Sequence, residues 1–322
     1  MKKITEVGKF LLTLLVLSGI FFVIFYIVFR PKQQQQQLPQ PTASSQQTVK
    51  HKKVTDPRIK KLNLVGLGDS LTHGVGDTSQ RGGYVYLIQQ RLLKKDAKQV
   101  DAANFGKTGD TTNQIKTRLD QQPAIQNRLK KADVITITTG GNDLMHVLQA
   151  NFKSLSSNHF SKNMTEAKDR YQVDLTALLT DVRAVNPTAP IFLFSVYDPF
   201  YVYFPNMTAL QKYTDEWNQA AQTQASQISS AYFVDVNRQL SEGQYYGKSK
   251  TQLERKVNSD LSRTKNKNLE KILSDPTEKN KYLSPDDHFH PNDLGYQLMT
   301  NKLYQVMQKH RDSWLKESTN EN

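Results

Sequence analysis

From Leu62 onward, short apolar runs alternate with longer stretches of helical spacing. The short runs are Leu62–Gly68, Val100–Phe105, Asp133–Thr139, Ile191–Tyr197 and Tyr232–Val236. Several are rich in β-branched or aromatic residues, a pattern that predicts strands buried on both faces. Between them, Tyr84–Leu93, Thr112–Leu129 (interrupted by Pro123), Ala167–Val185 and Leu210–Ile228 carry apolar residues at helical intervals, and a last helix is expected over Asp293–Lys309. Buried strands alternating with helices predict a three-layer α/β/α sandwich around a central, mostly parallel, five-stranded sheet. There is no internal repeat.

The N-terminal part has a different pattern. Phe10 to Phe29 is apolar apart from Thr13, Ser18, Gly19 and Tyr26. As a helix such a stretch reaches about 30 Å, enough to cross the hydrocarbon core of a bilayer. It is hydrophobic all round, unlike a surface helix. It also exceeds the usual ~7–15-residue core of a cleaved signal peptide, and no A-x-A site follows it. A retained, single-pass signal-anchor is expected over 10–29, with 1–9 cytoplasmic. Lys2, Lys3 and Lys9 precede it and Arg30 and Lys32 follow it. The large C-terminal domain is expected on the extracytoplasmic side of the cell membrane. Residues 30–60, with Gln33 to Gln37 and four prolines, read as a disordered polar spacer. The domain is expected over 61–318, with a short tail at 319–322.

Composition narrows the chemistry. The 322 residues include no cysteine, so disulfides, thiol nucleophiles, thiolate metal sites and a lipoprotein anchor are excluded. The net charge is +13, and its distribution matters more than its size. Residues 1–60 hold ten Lys/Arg against two acidic residues, and 241–282 hold ten against six. The excess therefore sits beside the membrane segment and in one insertion. That favours a membrane-surface or polyanion-facing role over nucleic acid binding. The insertion is longer than the link a compact domain normally uses. Its leucines at 253, 261, 269 and 273, with Val257 and Ile272, predict two short amphipathic helices.

Four segments carry candidate chemistry, three of them at expected strand ends. Ser70 stands in Gly68-Asp69-Ser70-Leu71-Thr72-His73-Gly74 after the first strand. Catalytic groups of open α/β sheets gather at such carboxyl ends, although a serine there also suits a helix N-cap. Thr72 replaces the second glycine of a G-x-S-x-G nucleophile elbow, which argues against an ordinary α/β-hydrolase. Gly109, in Gly106-Lys107-Thr108-Gly109-Asp110, is placed to present its backbone N–H to a developing oxyanion or simply to permit the turn. Asn142, in Gly140-Gly141-Asn142-Asp143, is suited to donate its amide to the same oxyanion or to cap the next helix. Asp286-Asp287-His288-Phe289-His290-Pro291-Asn292 supplies histidines able to accept a serine proton and carboxylates able to orient them.

Together these segments resemble the SGNH, or GDSL-type, hydrolases, matching the first, second, third and fifth sequence blocks of that family in order over 62–309. The layout is similar to the bacterial GDSL lipase/acylhydrolase subgroup with one N-terminal anchor, the YpmR-like proteins. The resemblance implies a flavodoxin-like sheet and a serine esterase that needs no metal or organic cofactor. It implies Ser70 as nucleophile, His290 as general base and Asp287 as the carboxylate orienting it. The N–H groups of Ser70 and Gly109 and the Asn142 side chain would form the oxyanion hole. The family often has glycine where this chain has His288, which leaves two histidines to distinguish. The expected substrate is a small acyl ester, a lipid or an acylated glycan.

Other readings remain at this point. A metallophosphoesterase would share Gly68-Asp69, Gly141-Asn142-Asp143 and His288-Phe289-His290, but the first strand supplies no Asp-x-His and no histidine follows Asn142. A non-enzymatic surface protein would not need every catalytic position filled. Transfer of the acyl group to a sugar hydroxyl, or deacetylation of wall glycan, would use the same residues.

Overall fold

The computed structural model describes residues 58–151, 158–254 and 278–315. The expected anchor, most of the spacer, residues 255–277 of the insertion and the tail lie outside these. Among the described residues, no helix is long and apolar enough to cross a membrane.

Five strands form one sheet in the order β2-β1-β3-β4-β5. They are β1 (Ile59–Gly68), β2 (Ala97–Gly106), β3 (Val134–Thr138), β4 (Ile191–Phe194) and β5 (Ala231–Val234). Every pairing is parallel, so the sheet is wholly rather than mostly so. Strand β1 starts at Ile59, inside the stretch read as spacer, because it pairs with β2 along its whole length, from Ile59 opposite Ala97 to Gly68 opposite Gly106. The chain leaves β1 for β2 on one side and returns to β3 on the other. That reversal is the switch point at which open α/β sheets place their ligands.

The pleat divides the core into two layers. Leu62, Leu64, Val134, Phe192 and Phe194 face one side, packed against Tyr84, Ile88 and Leu92 of α2 (Gly83–Lys95) and Met299, Leu303 and Met307 of α9 (Asp293–Lys309). Val65, Leu67, Ile135, Ile137, Ile191 and Leu193 face the other. They meet α3 (Thr112–Gln121), α4 (Pro123–Lys130), α5 (Gly141–Asn151), α6 (Asn158–Val185) and α7 (Thr208–Ser226). Continuous apolar strands therefore follow from burial on both faces.

Two helices differ from the pattern, and the interruption expected at Pro123 is present. Pro123 divides the stretch 112–129 into α3 and α4, standing at the first turn of the second, where its missing N–H costs nothing. Helix α6 begins at Asn158 rather than Ala167, because Phe160 and Met164 extend its buried stripe by two turns among polar neighbours. Helix α5 is absent from the stretches of helical spacing read from the sequence, which allowed for a helix here only through Asn142 as a cap. Two further helices are short, α1 (Ser70–His73) and α8 (Asn237–Glu242).

Candidate active site

The register aligns Gly68, Gly106 and Thr138 at one edge of the sheet. The segments that follow them carry Ser70, Gly109 and Asn142. Gly68 can only be glycine: a Cβ there would lie 2.5 Å from the Thr138 carbonyl oxygen and 2.7 Å from Thr72 Oγ1. Asp69 caps α1, its carboxylate accepting from the Leu71 N–H at 3.0 Å and from Thr138 Oγ1 at 2.7 Å. Thr138 thereby spends its proton on Asp69. Thr72 Oγ1 lies 2.8 Å from Thr138 Oγ1 and 2.9 Å from Tyr84 Oη, with the Leu67 carbonyl at 3.5 Å as a second acceptor for its proton, and Tyr84 Oη also meets Thr136 Oγ1 at 3.1 Å. This hydroxyl chain lies beneath the serine and runs towards Asp69. Burial pushes the Asp69 carboxyl up from its ordinary value, against the pull of the Thr138 and Leu71 donors.

Ser70 and the C-terminal loop meet across 220 positions of sequence: His290 Nε2 lies 2.8 Å from Ser70 Oγ. On its other side, His290 Nδ1 lies 2.5 Å from Asp287 Oδ2. Asp287 Oδ1 also accepts the N–H groups of Phe289 and His290, each at 2.9 Å. Burial raises the Asp287 carboxyl, but these donors outweigh it and hold it at about 2. The carboxylate is thus charged throughout the neutral range, and the imidazole carries its proton on Nδ1, leaving Nε2 to accept from Ser70. The loop is closed by a bridge between Leu283 and Pro291 and by Asn292, which caps α9 and donates to the carbonyls of Lys281 and Leu283.

His288 points elsewhere. It is 5% exposed, and its Nδ1 lies 2.5 Å from Glu278 Oε2 and 3.1 Å from Tyr203 Oη. Its φ is +55°, the left-handed conformation for which glycine is suited. The Glu278 and Tyr203 contacts hold a strained histidine where a glycine would rest without strain.

Among the described residues, the N–H groups of Ser70 and Gly109 donate to no protein acceptor. Gly109 has φ +84° and open space around its Cα. Asn142 Nδ2 donates one hydrogen to the Asp110 carbonyl at 2.8 Å and keeps the second. Asp143, in the first turn of α5, accepts from both the N–H and the hydroxyl of Thr112 at 3.0 Å. Burial raises its carboxyl and the Thr112 donors oppose it.

One residue at the centre of this arrangement escaped the sequence reading. Arg118, on the buried side of α3, bonds Asp110 Oδ2 at 2.5 Å through Nε, the Phe105 carbonyl at 3.1 Å through Nη1 and the Gly68 carbonyl at 2.9 Å through Nη2. It ties together the ends of β1 and β2 and the Gly109 turn. A visible signal existed: an arginine on the stripe of Ile115 and Leu119. Arg118→Leu is expected to cost about 3 kcal/mol of stability, because it leaves the buried Asp110 with only the exposed Lys107 ammonium at 3.6 Å, and to lower kcat by misplacing Gly109. Lysine should not rescue, having no fork to span three acceptors. Urea denaturation and turnover of a small ester check this.

Beside Ser70 lies an apolar cleft walled by Leu144, Met145, Leu148, Phe200, Leu210 and Phe289. Of the aromatic run after β4, Tyr197 and Phe200 line it, whereas Tyr201 and Tyr203 do not. Tyr201 packs on Leu253 instead. No group of three or more potential metal ligands occurs among the described residues.

Residues 67–298 match the profile of the GDSL-like Lipase/Acylhydrolase family. The chain is 27% identical over 247 residues to the uncharacterized protein YpmR of Bacillus subtilis (strain 168), covering 76% of this chain and 81% of that one. It is 30% identical over 179 residues to the spore germination lipase LipC of Bacillus licheniformis, covering 54% of this chain and 78% of LipC. Among solved structures, the lipase Lip_vut3 from a goat rumen metagenome superposes with a TM-score of 0.55 at 25% identity, covering 76% of this chain and 97% of Lip_vut3.

Proposed function

The chain belongs to the GDSL-like lipase/acylhydrolase family, and from that premise we propose that it hydrolyses carboxylic esters through an acyl intermediate on Ser70. The observation that carries this is the continuous line Ser70 Oγ, His290 Nε2, His290 Nδ1, Asp287 Oδ2, with contacts of 2.8 and 2.5 Å. His290 takes the proton of Ser70 as Oγ attacks the ester carbonyl. The oxyanion meets the N–H groups of Ser70 and Gly109 and the spare hydrogen of Asn142. His290, held as imidazolium by Asp287, then protonates the departing alcohol as the ester C–O bond breaks. Water, deprotonated by the same nitrogen, attacks the acyl carbonyl and restores Ser70. The apolar stretch 10–29 supports a place at the outer face of the cell membrane, with ester-bearing lipids or acylated surface polymers in reach. Lys248 and Lys250 of the basic insertion are exposed, and an anionic surface is the contact they suit.

The test uses the detergent-solubilised full chain with esters of graded acyl length. Hydrolysis is expected, along with covalent labelling by a serine-reactive phosphonate at Ser70. Labelling at another residue, with no hydrolysis of any ester, would overturn the proposal. Activity is expected to survive EDTA, since no step uses a metal. Loss on chelation with recovery on adding a divalent ion would point to a phosphoesterase instead.

A further inference from the structure

The cleft beside Ser70 contains a carboxyl group that the proposed mechanism does not use. Asp198 follows β4 and lines the same cleft as Ser70 and Asn142. It is 4% exposed. Among the described residues, its carboxyl makes one hydrogen bond, accepting from the Phe200 N–H at 2.9 Å. Its backbone is held separately, the N–H donating to Ser241 Oγ at 2.8 Å. A carboxylate has about four acceptor sites, so most of its capacity is unspent in a place where water is scarce. Buried polar groups left in this state usually answer to a ligand or a catalytic task. The hydroxyl of Thr214, a residue 3% exposed on the same wall, makes no hydrogen bond among the described residues.

The electrostatics agree. No lysine or arginine lines the cleft. Burial, with a further push from Asp215 and against the Phe200 N–H, raises Asp198 to about 7. The group is therefore poised between forms and is readily fixed by a donor. The cleft is also small, with a cavity volume of about 40 Å³. Its enclosed part therefore suits a short acyl group lying along the walls that Ser70 and Asp198 share.

Resting on the esterase reading above, we infer that this cleft selects short acyl groups bearing a hydrogen-bond donor, a hydroxyl or an ammonium, which Asp198 and Thr214 receive beyond the reacting carbonyl. The apolar walls hold the carbon chain. Asp198 supplies the acceptor that an ordinary alkanoyl group leaves unpaired. An acyl group ending in a carboxylate is disfavoured, since Asp69 and Asp198 both face the cleft.

The experiment compares isosteric methyl esters on the full-length protein, following base uptake. Methyl lactate is set against methyl isobutyrate, methyl β-hydroxybutyrate against methyl isovalerate, and methyl β-alaninate is added as the ammonium probe. In at least one pair, the hydroxyl ester is expected to lead in kcat/KM by about ten- to a hundredfold, the worth of a hydrogen bond to a charged partner. Asp198→Leu should erase that lead. Asp198→Asn preserves the acceptor for the Phe200 N–H, so it keeps the turn. It should keep the hydroxyl preference yet lose turnover of β-alaninate relative to isovalerate by at least about tenfold, because an amide does not neutralise an ammonium. A hydroxyl-to-methyl ratio unchanged in Asp198→Leu overturns the inference. Should the leucine variant not fold, an unchanged β-alaninate ratio in Asp198→Asn overturns it equally. If isovalerate is hydrolysed throughout, the esterase reading stands whatever the ratios. If no ester is hydrolysed even by the unaltered protein, that reading falls first.

Discussion

Ser70→Ala is expected to lower ester turnover by about a millionfold while leaving the fold untouched. The size follows from the unit the serine belongs to, since removing a nucleophile in a hydrogen-bonded triad costs about as much as removing the whole triad. The structural indifference follows from what Oγ does here. Its recorded contact is His290. Asp69 caps α1 through the Leu71 N–H, and the Thr72–Thr138–Asp69 chain bypasses Ser70. Kinetics on a short-chain ester, with a thermal melt on the same sample, makes the measurement. Near-normal turnover with an unchanged melt would remove Ser70 from the reaction.

His290→Ala should be nearly as severe, and the Ser70→Ala/His290→Ala double variant should be little worse than either alone, because both act in one proton transfer. The informative contrast is His288→Gly. It removes an imidazole two residues away but leaves the His290 contacts intact, so turnover should fall far less. Stability should fall, because Glu278 loses its buried partner, at roughly 3 kcal/mol or more. Relief of the left-handed backbone at His288 returns about 1 kcal/mol of that. Turnover and urea midpoints for the two histidine variants decide the assignment. A millionfold loss in His288→Gly with an intact fold would transfer the role of base to His288.

Much of this architecture is visible in the sequence because parallel strands buried on both faces leave an unbroken apolar signature. All five strands were anticipated, and errors of extent fall where that signature weakens. The edge strand β2 carries Lys98, Gln99 and Asp101, so its first residues read as polar linker until β1 is there to pair with them. Helix α5 was legible only as a capped start at Asn142, because its first residues, Gly141-Asn142-Asp143, look equally like a turn. The residues of the candidate site were legible because short motifs sit at strand ends. What holds them in place was not. Arg118 acts through the carbonyls of Gly68 and Phe105, and a carbonyl has no sequence identity. The Glu278–His288 pair spans only ten positions but depends on a positive φ that histidine seldom adopts. Asp198 lay between Tyr197 and Pro199 in an apolar run after β4, a single carboxylate whose isolation was the available clue.

The contact between Ser70 and His290 also sets when the site comes into being. The proposed nucleophile and oxyanion donors all lie before residue 143, on elements that pair with near neighbours. The proposed base, His290, arrives on a loop anchored by Asn292 to α9, and α9 packs on α2. During synthesis, a nascent chain can assemble β1, β2 and β3 long before α9 has emerged. It then holds a serine with nothing to deprotonate it. Closing a loop of this length is entropically the costliest step of the topology, and catalytic competence waits upon it. Truncation before Asp293, which removes α9, should therefore yield a chain that collapses around its sheet yet stays inert, with activity gained as one of the last events of folding.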